Sequence, residues 1–269
     1  MKIANCLVVI TGGSSGIGAA VAEAIAQQKG RVILLARTAV KLEQVVTGIV
    51  KAGGQASYYP VDLAEPDAIA AVAKQILTEQ GTPQILINNA GVGQWLRLEE
   101  TSAAEAQRTM AVPYFAAFNL TREFLPAMER AGQGHIVNIT SPASYFPFPG
   151  APAYIASRAA LAGLTNALRV DLYGTGIGVS LVGFGSEVEG TGFFDHNPGN
   201  RDRLPKVARY FPPIPKRRAV EAIIAAIEHN QPEVMVPWLA QFSIRFYGLF
   251  PRLLERIMAV SEGHNPHNR

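Results

Sequence analysis

Short, uninterrupted apolar segments alternate with longer amphipathic segments along the chain, and this alternation constrains the fold more than any other feature. The apolar segments predict strands at residues 7–10, 32–36, 57–61, 85–87, 135–139, 179–182 and 233–237. The intervening segments predict helices at residues 19–28, 39–52, 103–129, 152–173 and 219–229, with another beginning near Pro66. Strands without polar alternation are covered on both faces, as in a parallel sheet. We therefore predict an α/β fold with a doubly wound parallel sheet sandwiched by helices.

The composition is that of a single globular domain with a large core. Of the 269 residues, 48% are hydrophobic and 17% are charged, and no linker or internal repeat divides the chain. Cys6 is the only cysteine, which excludes an internal disulfide and fits a reducing cytoplasm. The net charge of +3 comes without a recognition motif, so we expect no nucleic-acid binding. We expect no membrane span, because no apolar segment is long enough to cross a bilayer. We also expect no metal site.

A glycine-rich turn separates the first predicted strand from the first predicted helix. It consists of Thr11, Gly12, Gly13, Ser14, Ser15, Gly16, Ile17 and Gly18. Glycines permit a tight turn and let a pyrophosphate approach the backbone at the helix N-terminus, where free N–H groups and the helix dipole favour anions. At this place in an α/β chain, the turn predicts a dinucleotide-binding site.

The end of the second strand indicates which dinucleotide binds. A site that prefers NAD carries an acidic residue there, which binds the ribose hydroxyls. Ala36 occupies that position and Arg37 follows it. A guanidinium suits the 2′-phosphate of NADP through its charge and fork geometry. We therefore predict NADP(H) as the cofactor; the alternative is that Arg37 is a solvent-exposed loop residue.

A tyrosine and an arginine on one predicted helix form a candidate proton-transfer site. Tyr154 and Arg158 are four residues apart, so both side chains lie on one helix face. A fixed cation beside a phenol stabilises the phenolate and makes the hydroxyl a better acid. Ser141 follows the preceding strand and supplies a hydroxyl that can hydrogen-bond the same substrate oxygen.

These motifs together resemble those of the short-chain dehydrogenase/reductase family over roughly residues 5–238. The glycine turn resembles the family's glycine motif, and Asn88-Asn89-Ala90-Gly91 resembles its NNAG motif. Asp62 matches the acidic residue after the third strand, and Ser141 and Tyr154 match the catalytic serine and tyrosine. The resemblance implies a Rossmann-type sheet of about seven strands. It also implies hydride transfer between a nicotinamide and a carbonyl or alcohol carbon.

The resemblance assigns roles to these residues. Tyr154 would donate the proton to the carbonyl oxygen in reduction, or remove it in oxidation, while Ser141 would hold and polarise that oxygen. Asp62 would contact the adenine, and Thr191 is a candidate contact to the nicotinamide amide. Cofactor contacts are also expected from the NNAG-like residues Asn89, Ala90 and Gly91. A family lysine that binds the nicotinamide ribose is replaced here by Arg158.

Three positions depart from the family pattern. Arg158 replaces the lysine, Pro113 replaces an asparagine of the long fourth helix, and Phe184-Gly185 replaces a proline-glycine pair. In the family, the lysine, a water and the asparagine region pass protons from solvent to the tyrosine. Arginine keeps the charge but does not release a proton at accessible pH. Proline in the middle of a helix should kink the chain and free a carbonyl group.

Two functions follow from this combination of residues. The first is an NADP(H)-dependent oxidoreductase that acts on a small apolar carbonyl or alcohol, with Arg158 supplying electrostatics and protons reaching Tyr154 by another route. The NADP preference favours the direction of reduction. The second is an NADP(H)-binding protein with weak or no turnover, which acts as a scaffold or sensor.

The segment from about residue 186 to 216 is predicted to be a substrate lid. It is long, rich in Pro, Gly and aromatic residues, and follows the sixth strand. We expect it to close over an apolar substrate, with His196 as a surface residue. The lid belongs to the NADP-binding domain, which we assign to residues 1–238.

Residues 239–269 are predicted to form an apolar, amphipathic C-terminal extension in which Pro251 kinks or breaks a helix. Such an extension packs on its own domain, on a second subunit, or in the interface of a membrane. We expect a homodimer or homotetramer in the cytoplasm. Peripheral membrane contact through the extension is the alternative.

Overall fold

Seven parallel strands form one sheet in the order β3-β2-β1-β4-β5-β6-β7. The computed structural model describes residues 1–193, 203 and 211–261. The strands are β1 (Leu7–Thr11), β2 (Arg31–Ala36), β3 (Gln55–Pro60), β4 (Ile85–Asn88), β5 (Gly134–Thr140), β6 (Ile177–Phe184) and β7 (Glu233–Val236). The predicted doubly wound parallel sheet is confirmed, and each predicted strand is found within a few residues of its expected bounds.

Helices cover both faces of this sheet. They are α1 (Gly16–Gln27), α2 (Ala39–Lys51), α3 (Pro66–Glu79), α4 (Ala103–Met110), α5 (Ala116–Ala131), α6 (Pro152–Asp171), α7 (Lys216–Glu228), α8 (Trp238–Leu249) and α9 (Pro251–Ser261). Helix α1 begins three residues before its predicted start, because the last residues of the glycine turn already take part in it. The N–H of Ala19 donates to the carbonyl of Ser15 at 3.2 Å.

Alternate residues of β1 explain why the central strands contain uninterrupted apolar runs. Val8 and Ile10 belong to a core between the sheet and the layer of α1 and α7, while Leu7 and Val9 belong to a second core on the opposite face. All five residues of the strand are buried. Successive side chains of a strand point to opposite faces, so a strand covered on both sides carries no polar face.

The long helix predicted over residues 103–129 is divided into three segments. Between α4 and α5, Ala111–Phe115 form a π-helical turn that contains Pro113. Proline has no N–H to donate to the carbonyl four residues earlier, and the ladder shifts to a wider spacing. The N–H of Ala116 donates to the carbonyl of Ala111, five residues back. The predicted disturbance at Pro113 is confirmed, and its form is a π-helical turn inside the helix.

The C-terminal extension forms two helices, α8 and α9, and the break predicted at Pro251 is confirmed between them. Ala240 of α8 is buried against Gly185, which follows β6. A Cβ on Gly185 would lie 2.7 Å from the Cβ of Ala240, so this close approach requires glycine. Gly185 therefore allows α8 to pack closely against the carboxyl end of β6.

Both ends of the predicted lid are tied together at its base. Val188 and Ile214 form an isolated parallel bridge, and the hydroxyl of Ser186 donates to the carbonyl of Phe211 at 3.1 Å. Arg203 forms an ion pair and a hydrogen bond with the carboxylate of Glu100. This hydrogen bond holds the pKa of Glu100 well below its usual range. The rest of the predicted lid, including His196, lies outside the described residues.

Candidate active site

The topology brings the predicted site residues to one edge of the sheet. Because the strands are parallel, their carboxyl ends lie on the same side. Thr11 ends β1, Arg37 follows β2, Asn89 follows β4 and Ser141 follows β5. The strand order reverses between β1 and β4, and crevices at such points bind ligands in open α/β sheets.

The glycine turn fits closely against the segment that follows β4. Gly12 has φ +67°, in the left-handed region that favours glycine. A Cβ on Gly18 would overlap the carbonyl oxygen of Gly12 and lie 2.7 Å from Nδ2 of Asn89. The turn therefore exposes backbone to the crevice and leaves no room for side chains at these positions.

The N-terminus of α1 is an open anion-binding position. Ser15 is the residue before the helix, and its side chain makes no capping hydrogen bond. The first turn contains no acidic residue. Within the described residues, neither a capping side chain nor an acidic residue of the first turn therefore compensates the free N–H groups and the positive end of the helix dipole. Ser14 and Ile17 flank this point half-buried, and the backbone of Thr191 approaches Gly16 on its other side.

Thr11 joins the glycine turn to the segment after β4. Its hydroxyl oxygen accepts hydrogen bonds from the N–H groups of Asn89 and Ala90, each at 2.9 Å. The side chain of Asn89 in turn donates to the carbonyl of Thr11 at 2.9 Å. The two motifs found separately in the sequence form one hydrogen-bonded unit.

Arg37 and Asp62 lie at the expected distal end of this crevice. Arg37 is exposed after β2, and its guanidinium has no hydrogen-bond or ion-pair partner within the described ranges. Asp62 is exposed after β3, and its carboxylate accepts from the N–H of Ala64 at 3.0 Å. A free cation at this position, together with the glycine cradle and the open helix terminus, fits a dinucleotide with an additional phosphate.

Tyr154 is enclosed by aromatic rings and by a glycine. It is 6% exposed, and its ring meets Trp95 edge to face with centroids 6.2 Å apart. The ring of Phe148 lies 6.4 Å away, and Phe193 of the lid packs against the same cluster. A Cβ on Gly93 would overlap the Tyr154 ring. In the described part of the structure, the phenol hydroxyl has no hydrogen-bond partner, which leaves it available to a ligand.

Arg158 lies on the same face of α6 as Tyr154, as its spacing predicts. The centre of its guanidinium is 5.0 Å from the centroid of the Tyr154 ring, within reach of a cation–π interaction. One Nη donates to the carbonyl of Ile139 at 3.2 Å, while the buried Nε has no partner. The side chain is 5% exposed, and no carboxylate among the described residues pairs with it. Within the described residues, Arg158 is therefore a buried cation without a counter-ion.

The other guanidinium nitrogen of Arg158 approaches Gly91. A Cβ there would lie 2.6 Å from the second Nη, so the glycine makes space for the arginine. The guanidinium thus reaches from α6 to the segment after β4, at the border of the crevice.

Ser141 is held by the turn that follows β5. It precedes a short 3₁₀ turn, Pro142–Ser144, and its hydroxyl oxygen accepts from the N–H of Ala143 at 3.1 Å. Ser144 fastens this turn to α6, because its hydroxyl donates to the carbonyl of Arg158 at 3.0 Å. Ala143 packs in the same cluster as Tyr154. The turn that carries Ser141 and the helix that carries Tyr154 are therefore coupled directly.

A second tyrosine close to this turn is engaged elsewhere. The hydroxyl of Tyr145 donates to the carboxylate of Glu233 at 2.7 Å. Burial and this hydrogen bond raise the pKa of Tyr145. Tyr145 is therefore a poorer acid than an ordinary tyrosine and does not compete for the role of proton donor.

Sequence reasoning missed Gly93 and Trp95, which position Tyr154, and it missed Asn138 as the buried partner of Asn88 in the NNAG-like motif. The side-chain amide of Asn88 donates to Asn138 at 2.8 Å, and Asn138 donates to Thr165 of α6 at the same distance. The available signal was Asn138, a polar residue that interrupts the apolar run of β5. This chain of hydrogen bonds ties β4 and β5 to the helix that carries Tyr154.

The sheet order and the crevice at its carboxyl edge define a Rossmann-type α/β protein. The sequence model of the short chain dehydrogenase family matches residues 6–191, and the chain belongs to this family.

Individual relatives share most of the fold. An uncharacterised oxidoreductase of Mycobacterium tuberculosis is 45% identical over 170 residues, which cover 61% of this chain and 50% of that protein. This chain thus spans half the length of that relative. A metagenomic short-chain oxidoreductase solved with NADP is 33% identical, with a TM-score of 0.73 over 88% of this chain and 98% of the other. A short-chain dehydrogenase of Sphingobium yanoikuyae solved with NADPH is 27% identical, with a TM-score of 0.79 over 93% and 95% of the two chains.

Proposed function

We propose that the protein is an NADP(H)-dependent oxidoreductase that interconverts a carbonyl and an alcohol in an apolar small molecule. The observation that carries this proposal is the buried pair of Tyr154 and Arg158 at the edge of the sheet. A phenol packed beside an unpaired cation, with a free hydroxyl, is suited to proton transfer.

The residues that border the crevice would contact each part of the dinucleotide. The pyrophosphate would bind the glycine turn and the open N-terminus of α1. Arg37 would bind the 2′-phosphate and Asp62 the adenine. Asn89, Ala90, Gly91 and Thr191 would border the nicotinamide half, and when bound, the dinucleotide supplies or accepts the hydride. Two related proteins solved with NADP or NADPH support the choice of cofactor.

The chain's own residues handle the oxygen and its proton. In reduction, Tyr154 donates its phenol proton to the substrate oxygen, and Ser141 donates a hydrogen bond to the same oxygen. Arg158 stabilises the phenolate that remains, because its charge is fixed over the ring. General acid–base help of this kind contributes about 10²–10⁴-fold in rate.

Proton return to Tyr154 must take a route that does not pass through residue 158. Arginine stays protonated at accessible pH, so Arg158 supplies charge without exchanging a proton. Pro113 has no polar side-chain atom to hold a water at the π-helical turn. We propose that solvent reaches the phenol through the substrate side of the crevice once product leaves.

The surroundings of Tyr154 favour an apolar substrate. Trp95, Phe148 and Phe193 contribute aromatic surface around its ring, and binding pockets with such walls orient ligands through few polar groups. An apolar molecule with one carbonyl would place its oxygen between the hydroxyl groups of Tyr154 and Ser141.

Cofactor preference is tested first by equilibrium binding of NADPH and NADH to the wild type, Arg37→Ala and Arg31→Ala. Arg31 is a matched control, since it is exposed at the opposite end of the same strand. We expect the wild type to prefer NADPH, and Arg37→Ala to weaken NADPH binding about tenfold to hundredfold with little change for NADH. Equal affinities for both dinucleotides in the wild type would refute the preference.

Catalysis is tested by turnover on a panel of carbonyl compounds. We expect NADPH oxidation by the wild type, and a loss of about 10²–10⁴-fold in kcat in Tyr154→Phe with unchanged NADPH affinity. NADPH binding without turnover, rescued by Arg158→Lys, would show an attenuated active site. Binding without turnover and without rescue would support the alternative function, a scaffold or NADP(H) sensor.

We also propose that the protein is cytoplasmic and that it forms a homodimer or homotetramer. Exposed apolar residues such as Phe115 and Phe118 on the helix layer suit a contact between subunits. Light scattering after size-exclusion chromatography measures the oligomeric state directly, and a monomer at micromolar concentration would refute the proposed oligomer.

A further inference from the structure

The C-terminal helices α8 and α9 expose an unusually apolar face. Seven large hydrophobic side chains there are each between 46% and 76% exposed. They are Trp238, Phe242, Leu249, Phe250, Leu253, Ile257 and Val260. We call this set the tail surface. Single exposed hydrophobic residues are ordinary, but a contiguous group marks an interaction site.

The spacing of these residues makes each helix two-sided. On α8, Trp238, Phe242 and Leu249 follow the i, i+4, i+11 pattern of one helix face, while Ala240 is buried against the domain. On α9, Leu253, Ile257 and Val260 follow the i, i+4, i+7 pattern, and Met258 on the other side is buried. Each helix therefore uses one apolar face for its own domain and presents another to the outside.

The two helices are joined to each other in a fixed way. The hydroxyl of Tyr247 on α8 donates to the carboxylate of Glu255 on α9 at 2.9 Å. The rings of Phe242, Phe246 and Phe250 follow one another along α8 to the break, with centroids 6.3 Å and 5.3 Å apart. The exposed residues thus belong to one folded unit and not to a loose end.

Basic residues accompany the tail surface. Arg245, Arg252 and Arg256 are exposed, and Glu255, engaged by Tyr247, is the one acidic residue between Trp238 and Ser261. Arg245 lies on the same stripe of α8 as Phe242 and Leu249. Long arginine side chains can extend from an apolar face to reach anionic groups. This combination matches the boundary of a lipid layer, with apolar chains on one side and anionic headgroups on the other.

We propose that the tail surface binds the interfacial region of an anionic membrane, with α8 and α9 lying in its plane. No helix in the described ranges is long and apolar enough to cross a membrane, so the contact is with one leaflet. A second copy of the chain fits this surface less well. In a twofold dimer the same patch faces itself, which would bring the three arginines of each copy towards those of the other.

The surface lies beside the candidate active site. Phe146, which follows the turn of Ser141, contacts the ring of Tyr247 with centroids 6.1 Å apart. Ala240 contacts Gly185 at the carboxyl end of β6. If the proposed oxidoreductase function is correct, an apolar substrate dissolved in the leaflet would reach the site over a short path. The membrane contact itself does not depend on that function.

The test is co-sedimentation of the full chain with vesicles of phosphatidylcholine and phosphatidylserine in a three-to-one ratio, and with vesicles of phosphatidylcholine alone. We expect binding to the mixed vesicles and much weaker binding to the neutral ones. The double variant Leu253→Ser/Ile257→Ser should lower the partition coefficient about tenfold to hundredfold. Val170→Ser is the matched control, because Val170 on α6 is at least as exposed as Leu253 and Ile257. This variant should bind the vesicles as well as the wild type does.

A second variant separates the charge from the apolar face. Arg252→Gln/Arg256→Gln keeps the exposed apolar residues, and it should lose the preference for phosphatidylserine while circular dichroism shows an unchanged fold. Failure of the wild type to bind mixed vesicles, or equal binding by the Leu253→Ser/Ile257→Ser variant, would overturn the proposal. If that variant instead loses a dimer seen by light scattering, the tail surface is an interface between copies.

Discussion

Replacing Arg158 by methionine separates what this residue does for the fold from what it does for a ligand. Methionine has a similar length and no charge. The substitution removes the contact of the guanidinium with the Tyr154 ring and its hydrogen bond to the carbonyl of Ile139. It also removes a buried cation that no described carboxylate neutralises, and a buried Nε that has no partner.

The magnitudes nearly cancel in the protein without cofactor. The hydrogen bond from a charged donor contributes about 1.5–3 kcal/mol, and a desolvated cation–π contact contributes about 2 kcal/mol. Burying an ion costs several kcal/mol when partners do not compensate it. Of the five N–H donors of an arginine side chain, one has a described acceptor. We therefore expect Arg158→Met to leave the free energy of unfolding unchanged or to raise it slightly.

The effect should appear only when the cofactor is added. A ligand that binds the folded state at a hundred times its Kd stabilises a protein by about 2.7 kcal/mol. Because Arg158 reaches the border of the crevice at Gly91, Arg158→Met should reduce the stabilisation by NADPH and lower kcat about 10²–10⁴-fold.

Thermal unfolding with and without NADPH measures both the stability of the protein without cofactor and its stabilisation by NADPH. Leu120→Ala serves as a control for an ordinary core position, since Leu120 is fully buried, and should cost about 2–5 kcal/mol. A fall in the Tm of apo Arg158→Met by more than about 4 °C, roughly 1–2 kcal/mol for a chain of this size, would show that the arginine is structural. The reasoning would then be wrong.

Two more predictions concern a glycine and a histidine. Gly93→Ala should lower kcat at least about tenfold without weakening NADPH binding, because the new Cβ displaces the Tyr154 ring. The control is Gly163→Ala, since a Cβ at Gly163 meets no other atom. Equal kcat values in the two variants would contradict the steric argument. Burial lowers the pKa of His135 from 6.5 to about 4, so the unfolded chain binds a proton that the folded one excludes, and stability should fall as the pH drops from about 6.5 towards 4. The loss reaches roughly 3 kcal/mol, and urea unfolding at several pH values should show a clearly smaller loss in His135→Leu, where carboxylates such as that of Glu100 still respond to pH.

The sheet could be predicted from the sequence because its physical cause is local. Strands such as β1 and β4 are buried on both faces, so all their residues except the last, Thr11 and Asn88, are apolar, and the resulting runs are visible in the sequence. The relation between Tyr154 and Arg158 was predictable for the same reason, since a helix fixes the positions of residues four apart.

Contacts between distant segments could not be predicted in this way. Trp95 and Gly93 touch Tyr154 across about sixty residues of sequence, and no periodicity links them. The break of the fourth helix at Pro113 was foreseeable, but its form as a π-helical turn in contact with α6 was not. The predicted contacts of Arg37 and Asp62 with a cofactor stay predictions.

The close packing around Tyr154 has a consequence for its motion. Gly93, Trp95 and the guanidinium of Arg158 surround the ring, so this close packing hinders its rotation about its long axis. The conformational entropy of this side chain is lost during folding and not when a ligand arrives. Its two ring edges lie in different environments, and slow flipping would give them separate NMR signals.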